Sequence, residues 1–109
     1  MKDKIVFDVE TKNSFEDVGG RDNLEKLDAS VVVVYSYNHD TYASYREGEW
    51  DRLAPVFQNA GLVIGFAITR FDLPVLKKYF PFNLMALPRL DILDEIEHAS
   101  GARVPLDVL

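Results

Sequence analysis

Residues 4–11 are KIVFDVET, and this segment decides the fold class that we predict. Its apolar residues at the odd positions share one face of a strand, because side chains alternate between the two faces of a sheet. Asp8 and Glu10 project together from the opposite face, since they lie two residues apart. The segment therefore predicts a half-buried strand that presents two carboxylates side by side.

The pair Asp8 and Glu10 has two interpretations. Neighbouring carboxylates repel each other unless a cation neutralises them. Their hard oxygen atoms suit Mg²⁺ or Mn²⁺, which prefer such ligands. The other interpretation is that both are solvated side chains at the end of a strand, and a motif this short does not decide between the two.

Two further strands and a long loop follow along the chain. Residues 31–35 are the uninterrupted apolar run VVVVY, which predicts a central strand over residues 30–37 that is buried on both faces. Residues 41–46 alternate and follow a short polar turn, so we expect the returning strand of an antiparallel hairpin. Residues 13–27 are polar and without a clear period, which indicates a long loop with a short helical turn.

Helical and strand patterns alternate in the second half of the chain. They predict helices over residues 49–60 (capped by Gly61), 70–80, 94–99 and from Pro105, with strands over residues 62–66 and 90–93. A hairpin followed by this alternation predicts an α/β fold, a mixed sheet with helices on both faces. The pattern that begins at Pro105 is cut after one turn, so we expect residues 1–109 to be a single, partial domain, incomplete at its C-terminus.

Composition excludes several classes of protein. The chain has no cysteine, which rules out disulfides and thiolate metal sites. Its net charge of −6 disfavours a module that coats nucleic acid, but it is compatible with a nuclease whose carboxylates are neutralised by metal ions. The first apolar run has three residues, too few for a signal peptide or a membrane span, so we expect a cytoplasmic protein without a membrane partner.

A third acid, Asp72, follows the predicted strand 62–66. It lies in the segment VIGFAITRFDLP, residues 63–74, near the start of a predicted helix. The dipole of a helix favours a charged carboxylate at that end. The alternative is that Asp72 simply caps the helix, and sequence logic alone leaves both interpretations open.

Taken together, two motifs resemble the DEDD superfamily of 3′–5′ exonucleases. FDVET at residues 7–11 resembles the first motif of that superfamily. GF at residues 65–66 with FDLPVL at residues 71–76 is similar to the second, in the form shared by the proofreading domains of family B DNA polymerases and by YprB-type domains. The similarity extends over essentially the whole chain and implies a ribonuclease-H-like fold.

The resemblance implies a catalytic and metal-binding role for each acid. Asp8 would bridge two divalent ions, Glu10 would hold the ion that activates water, and Asp72 would hold the other. The cofactors implied are two Mg²⁺ or Mn²⁺ ions, and the substrate is the 3′ end of single-stranded DNA or RNA. Thr11 would lie close to the terminal nucleotide, and we expect Arg70 to contact phosphate because it is near Asp72.

Two departures from the family pattern bear on activity. Ala67 occupies a position where the family usually has asparagine. The fourth acid of the superfamily, on a late helix after a tyrosine or histidine, has no counterpart among these 109 residues. Since the missing group is a metal ligand, we expect the chain to be inactive by itself.

Two other functions were weighed against the exonuclease. A non-catalytic ribonuclease-H-like module that binds nucleic acid or protein agrees with both departures. A haloacid-dehalogenase-like phosphatase would use Asp8 as a nucleophile, but it requires aspartate at position 10 and leaves residues 71–74 unexplained. The sequence leaves the choice between DNA and RNA open, and also the oligomeric state.

Four tyrosines around the predicted hairpin, Tyr35, Tyr37, Tyr42 and Tyr45, could stack on bases. Cross-strand packing within the hairpin explains them more simply, because aromatic residues on paired strands stabilise each other. We therefore predict a structural role for the four tyrosines.

Overall fold

The computed structural model of the chain describes residues 2–103, apart from the side chains of Arg21 and Asp22. In chain order the strands and α-helices are β1 (Asp3–Thr11), β2 (Ala29–Ser36), β3 (Thr41–Arg46), α1 (Trp50–Gln58), β4 (Ala60–Gly65), α2 (Leu73–Leu76), β5 (Arg89–Asp91) and α3 (Ile92–Ser100). A π-helix (Ile68–Asp72) precedes α2, and 3₁₀-helices cover Arg21–Lys26, Lys77–Tyr79 and Leu84–Ala86. The helix predicted from Pro105 lies outside the described residues.

The five strands form one mixed sheet in the order β3-β2-β1-β4-β5. β2 is antiparallel to both β1 and β3, whereas β4 is parallel to β1 and to β5. At the centre of the sheet Val6 of β1 is paired with Tyr35 on β2 and with Ile64 on β4. The predicted α/β class, with an antiparallel hairpin and parallel strands beyond it, is confirmed.

The hydrophobic core lies against one face of the sheet. Ile5, Phe7 and Val9 are buried there, as their alternation in β1 predicts. Helix α1 covers this face with Leu53 and Phe57, and the ring of Phe57 meets that of Phe7 edge to face at 5.2 Å between centroids. The segment after β4 completes the core. One face of β1 is therefore packed against the core, and the opposite face carries Asp8 and Glu10.

Strand β2 differs from its predicted burial. Val32 and Val34 are buried, but Val33 on the other face is 39% exposed, and β1 rather than β2 is the central strand. The expectation of burial on both faces is wrong. A run of valines reflects the preference of β-branched residues for strands, and that preference does not report which faces are covered.

One pair of the hairpin tyrosines packs across strands as predicted, whereas Tyr37 packs against Tyr35 from the same side of the hairpin and Tyr45 contacts neither ring. Tyr35 and Tyr42 are register partners with ring centroids 4.9 Å apart, and Tyr37 lies 5.4 Å from Tyr35. Tyr45 packs against the hydrophobic core instead. The reason is its register, since it pairs with the buried Val32 and therefore points to the core face.

Two helices are shorter than their patterns predict, whereas α3 (Ile92–Ser100) is longer than the predicted 94–99, because Asp91 caps it two residues earlier. Helix α1 ends before Asn59, and Gly61 lies in β4 rather than capping the helix. The predicted helix 70–80 is divided into the π-helix, α2 and a 3₁₀-helix, because Pro74 has no amide hydrogen to donate to the preceding turn. None of the helices described between residues 2 and 103 has the length and apolar character needed to cross a membrane.

Candidate metal centre

The candidate site lies where β1 and β4 separate, at the carboxyl ends of these parallel strands. The register of β1 with β4 ends at Val6, while β1 continues to Thr11. The chain leaves β4 at Gly65 and turns through the π-helix, which ends at Asp72. In open α/β sheets the crevice at such a point is where ligands bind.

Gly65 allows the chain to fold back onto β1 at this point. A Cβ atom on residue 65 would lie 2.4 Å from Cγ2 of Ile68 and 3.0 Å from the carbonyl oxygen of Phe7. Both distances are too short for a side chain, and Ile68 is itself fully buried. Glycine is therefore required for the close approach that brings the π-helix against β1.

Asp72 is buried with an incomplete set of partners. It is 4% exposed, and among the described residues its Oδ2 atom has no hydrogen-bond partner. Burial and, second, the negative charge of Asp8 raise its pKa to about 8, although a hydrogen bond from the Val9 amide acts in the opposite direction. A buried carboxylate oxygen without a partner is costly, and a bound cation would remove that cost.

Asp8 and Glu10 lie on the exposed side of β1, as predicted. Asp8 is close enough to Asp72 for its charge to act there, and Glu10 is not among the groups that do so. Across residues 2–103 no three or more acidic, histidine or cysteine side chains are grouped as metal ligands. The structure thus shows an electrostatic influence of Asp8 on Asp72, and the set of three carboxylates stays a prediction.

The pair Asp8 and Asp72 fits a divalent cation on chemical grounds. Both supply hard oxygen donors, and one buried oxygen of Asp72 has no hydrogen-bond partner within residues 2–103. A small divalent ion such as Mg²⁺ commonly takes one or two carboxylates and keeps several waters. Two carboxylates are therefore a sufficient protein contribution for one such ion.

Thr11 and Arg70, the predicted nucleic-acid contacts, both have partners within the protein. The hydroxyl of Thr11 donates a hydrogen bond to the Asn13 carbonyl at 3.0 Å. The guanidinium of Arg70 forms ion pairs with Asp94, at 3.7 Å, and with Glu97. Arg70 therefore ties the π-helix to α3, and the contact of either residue with nucleic acid stays a prediction.

Asp91 is a buried acid whose role sequence reasoning missed. Its carboxylate accepts hydrogen bonds from the backbone amides of Ala67 and Thr69, both at 2.9 Å, and of Leu93 at 3.0 Å. The bond from Leu93 caps α3, and an aspartate just before a helix is a sequence signal for a cap. The hydrogen bonds from Ala67 and Thr69 have no such signal in the sequence, because they join residues more than 20 positions apart.

Comparison with known proteins supports the fold. No family model and no curated protein matches the chain. It is similar to the solved structure of the family B DNA polymerase from the hyperthermophilic archaeon Pyrobaculum calidifontis, with a TM-score of 0.52 and 16% identity, over 72% of this chain and 11% of that one. At this identity the similarity establishes a shared fold alone, and the predicted ribonuclease-H-like, mixed α/β sheet is confirmed.

Proposed function

We propose that this chain is a divalent-metal-dependent domain of the 3′–5′ exonuclease type, with its metal site at Asp8 and Asp72. The observation that carries the proposal is the unpaired Oδ2 atom of Asp72, buried beside a second carboxylate. A protein keeps such an atom at a cost in stability, and strongly perturbed acids in a cleft are typical of functional sites. A divalent cation is the ligand that this arrangement accepts.

Each acid has a part in the proposed site. Asp72, fixed by burial and by the Val9 amide, would offer Oδ2 to the cation, and Asp8 would hold it from the central strand. Glu10, on the same face of β1 as Asp8, would supply the third carboxylate, as the family resemblance implies. When bound, divalent ions polarise a phosphodiester and lower the pKa of a coordinated water.

The proposed substrate is the 3′ end of single-stranded DNA or RNA. Its support is the resemblance of residues 7–11 and 65–76 to the two exonuclease motifs, together with the shared fold of a family B DNA polymerase. The chain spans about a tenth of the length of that polymerase, so the polymerase's own activity is not transferred to it. Thr11 and Arg70 are the proposed contacts with the substrate.

A second candidate function is a non-catalytic module that binds nucleic acid or protein. It is favoured by a specific observation, that residues 2–103 contain no cluster of three potential metal ligands. Such a module would retain the ribonuclease-H-like fold and would bind its partner without cleaving it. The two candidates share a scaffold and differ in whether the carboxylates act on a phosphodiester.

Titration with Mn²⁺ by calorimetry tests the metal site. We expect the wild-type chain to bind Mn²⁺, and Asp8→Asn and Asp72→Asn to weaken binding by at least about tenfold, since each removes a ligand charge. The matched control is Asp51→Asn, which removes the same charge from an exposed position at the start of α1 and should bind like wild type. Equal affinity of wild type and Asp72→Asn would refute the site.

A second assay separates the two functions. The chain is incubated with single-stranded DNA and RNA carrying a 5′ label and a free 3′ end, with Mn²⁺ or with EDTA. Products shortened from the 3′ end, absent in Asp72→Asn, support the exonuclease. Because we expect these 109 residues to be inactive by themselves, the absence of shortening does not separate the two functions. Binding of the 3′ end that depends on Mn²⁺ and on Asp72 supports the exonuclease type, and binding that is equal in Mn²⁺ and in EDTA favours the non-catalytic module.

A further inference from the structure

Helix α3 and the strand before it hold the segment that leads to Asp72. Beyond the bonds of Asp91, the guanidinium of Arg89 donates a hydrogen bond from Nε to the hydroxyl of Thr69 at 2.9 Å. Arg70 is paired with Asp94 and Glu97 of α3. The turn that carries a proposed metal ligand is thus fixed from outside, by residues that lie some 20 positions later in the chain.

Asp91 is the most buried of these residues, at 4% exposure. Its Oδ1 atom accepts from the Ala67 and Leu93 amides, and its Oδ2 atom accepts from the Thr69 amide. A carboxylate that served only as a helix cap would need the bond to Leu93 alone. Both oxygens are used, and two of the three donors belong to the turn before Asp72.

The conformation of that turn explains why it needs support. Ala67 has φ 59° and ψ 25°, in the left-handed region that alanine rarely adopts. A residue in this conformation persists only when its surroundings impose it. The bonds of Asp91 hold the amide of the strained residue 67 and the amide of residue 69, and so direct the chain into the π-helix.

We propose that Asp91 is a positioning residue, which holds Ala67 in the left-handed conformation and so sets the place of Asp72 beside Asp8. This inference rests on the proposed function, because it assigns Asp91 to the same metal site without making it a ligand. It goes beyond that function because it makes the affinity for metal depend on a hydrogen-bonded turn that does not itself contact the ion. Removal of the turn's acceptor should therefore weaken metal binding even though every carboxylate ligand is retained.

The test compares variants that separate the cap from the turn. Asp91→Ser keeps a good helix cap for Leu93 but offers no second oxygen to Thr69. Asp91→Asn keeps one acceptor oxygen and turns an amide donor towards Thr69. Glu95→Gln, an exposed change in the same first turn of α3, is the control for charge. Circular dichroism first establishes that each variant is folded.

Two readouts are measured on the whole chain, Mn²⁺ affinity and hydrogen exchange of the Ala67 and Thr69 amides by NMR. We expect Asp91→Ser and Asp91→Asn to raise the Kd for Mn²⁺ by about 10- to 100-fold, the range for supporting residues of metal sites, and to speed exchange at Thr69. Ala67→Gly added to Asp91→Ser should restore part of the affinity, because glycine adopts the left-handed conformation without strain.

The outcomes are distinguishable from failure of the proposed function. If the wild-type chain does not bind Mn²⁺, the metal site itself is wrong and the inference falls with it. If Mn²⁺ binds through Asp72 but the Asp91 variants bind as tightly as wild type, the positioning role alone is overturned. Loss of affinity that Ala67→Gly does not relieve also overturns it, since the defect would then lie outside the turn.

Discussion

Two buried carboxylates lie near opposite ends of β1, and they contrast in how they are satisfied. Asp3, at the start of the strand, is 5% exposed and accepts hydrogen bonds from the Ser36 hydroxyl and the Asn38 amide. Asp72, near the other end, is 4% exposed and keeps one oxygen without a partner in the described part of the chain. Equal burial therefore accompanies unequal hydrogen bonding.

The pKa values of the two acids are shifted in opposite directions. Burial alone would raise the pKa of Asp3, but the hydrogen bonds from Ser36 and Asn38 outweigh it and hold the pKa below its usual value. For Asp72, burial and the charge of Asp8 raise the pKa to about 8. The charged form of Asp3 is therefore stabilised by hydrogen bonds within the chain, whereas burial favours the protonated form of Asp72. We propose that a cation from solution stabilises the charged form of Asp72.

The largest expected effect is on the pH dependence of stability without metal. The folded pKa of Asp72 lies above the value for an unfolded chain, so its stabilising contribution is full below about pH 4 and is lost as the pH rises through about 8. This group alone lowers the free energy of unfolding by at most about 1.4 kcal/mol per pH unit across that window. Urea unfolding in EDTA, measured between pH 4 and pH 8, should show that the free energy of unfolding declines more steeply with pH for wild type than for Asp72→Asn.

The contribution of Asp3 to stability should change with pH in the opposite direction to that of Asp72 in the same experiment. Its folded pKa is lowered, so its contribution is present above about pH 4 and is lost as the pH falls through the folded pKa. Asp3→Asn should therefore flatten the acid side of the profile and leave the decline towards pH 8 unchanged. A decline towards pH 8 that Asp72→Asn does not reduce would contradict the contrast between the two acids.

The next effect in size is stabilisation by metal. A ligand that binds only the folded state adds about 2.7 kcal/mol at a concentration 100 times its Kd. We expect Mn²⁺ to raise the free energy of unfolding of wild type and of Asp3→Asn by this amount, and to leave that of Asp72→Asn unchanged. Thermal unfolding at pH 7 with and without Mn²⁺ measures the difference. The same gain in Asp72→Asn would place the metal elsewhere in the protein.

Removal of Asp3 should affect stability but not metal binding. Asp3→Ala removes the acceptor of two part-buried hydrogen bonds, from the Ser36 hydroxyl and the Asn38 amide, which should lower the free energy of unfolding by about 1–3 kcal/mol. Denaturant unfolding measures this loss, and calorimetry with Mn²⁺ should give an unchanged Kd. A raised Kd for Mn²⁺ would show that the hydrogen bonds of Asp3 at one end of β1 affect the metal site at the other end.

The smallest expected effect concerns the turn that leads to Asp72. Ala67→Gly relieves the left-handed conformation at φ 59° and should raise the free energy of unfolding by about 0.5–1 kcal/mol. Gly20→Ala, at a left-handed glycine in the loop 13–27 with open space around it, should lower stability by a comparable amount. Destabilisation by Ala67→Gly would show that residue 67 is not strained.

The sequence predicts much of this fold because local periodicity is visible in it. Strand β3 has the bounds that its alternation predicts, and Asp8 and Glu10 share a face of β1 for the same reason. The sequence does not show the partners of Asp3 and Asp91, since they lie between 22 and 35 residues away and only the fold brings them together. The break in the helix over residues 70–80, in contrast, has a local cause that the sequence shows, the proline at position 74.

Sequence motifs therefore predict which residues belong to the candidate site, whereas the structure alone shows what those residues contact. The segment that ends FDLP predicts Asp72 as a metal ligand, and the structure adds that its Oδ2 atom is buried and has no hydrogen-bond partner in the part of the chain that it describes. Arg70 was predicted as a phosphate contact because it is near Asp72, and the structure adds its ion pairs with α3. Nothing in the spacing of residues 70, 94 and 97 shows that they meet.

The most direct test of the central claim is the titration of the Asp72 carboxyl group by carbon-detected NMR, with and without Mg²⁺. We predict a pKa of about 8 in EDTA, because of burial and the charge of Asp8, and a clear decrease when Mg²⁺ is added. The Asp3 carboxyl group should titrate below its usual value under both conditions. An Asp72 pKa that is ordinary in EDTA and indifferent to Mg²⁺ would contradict the account.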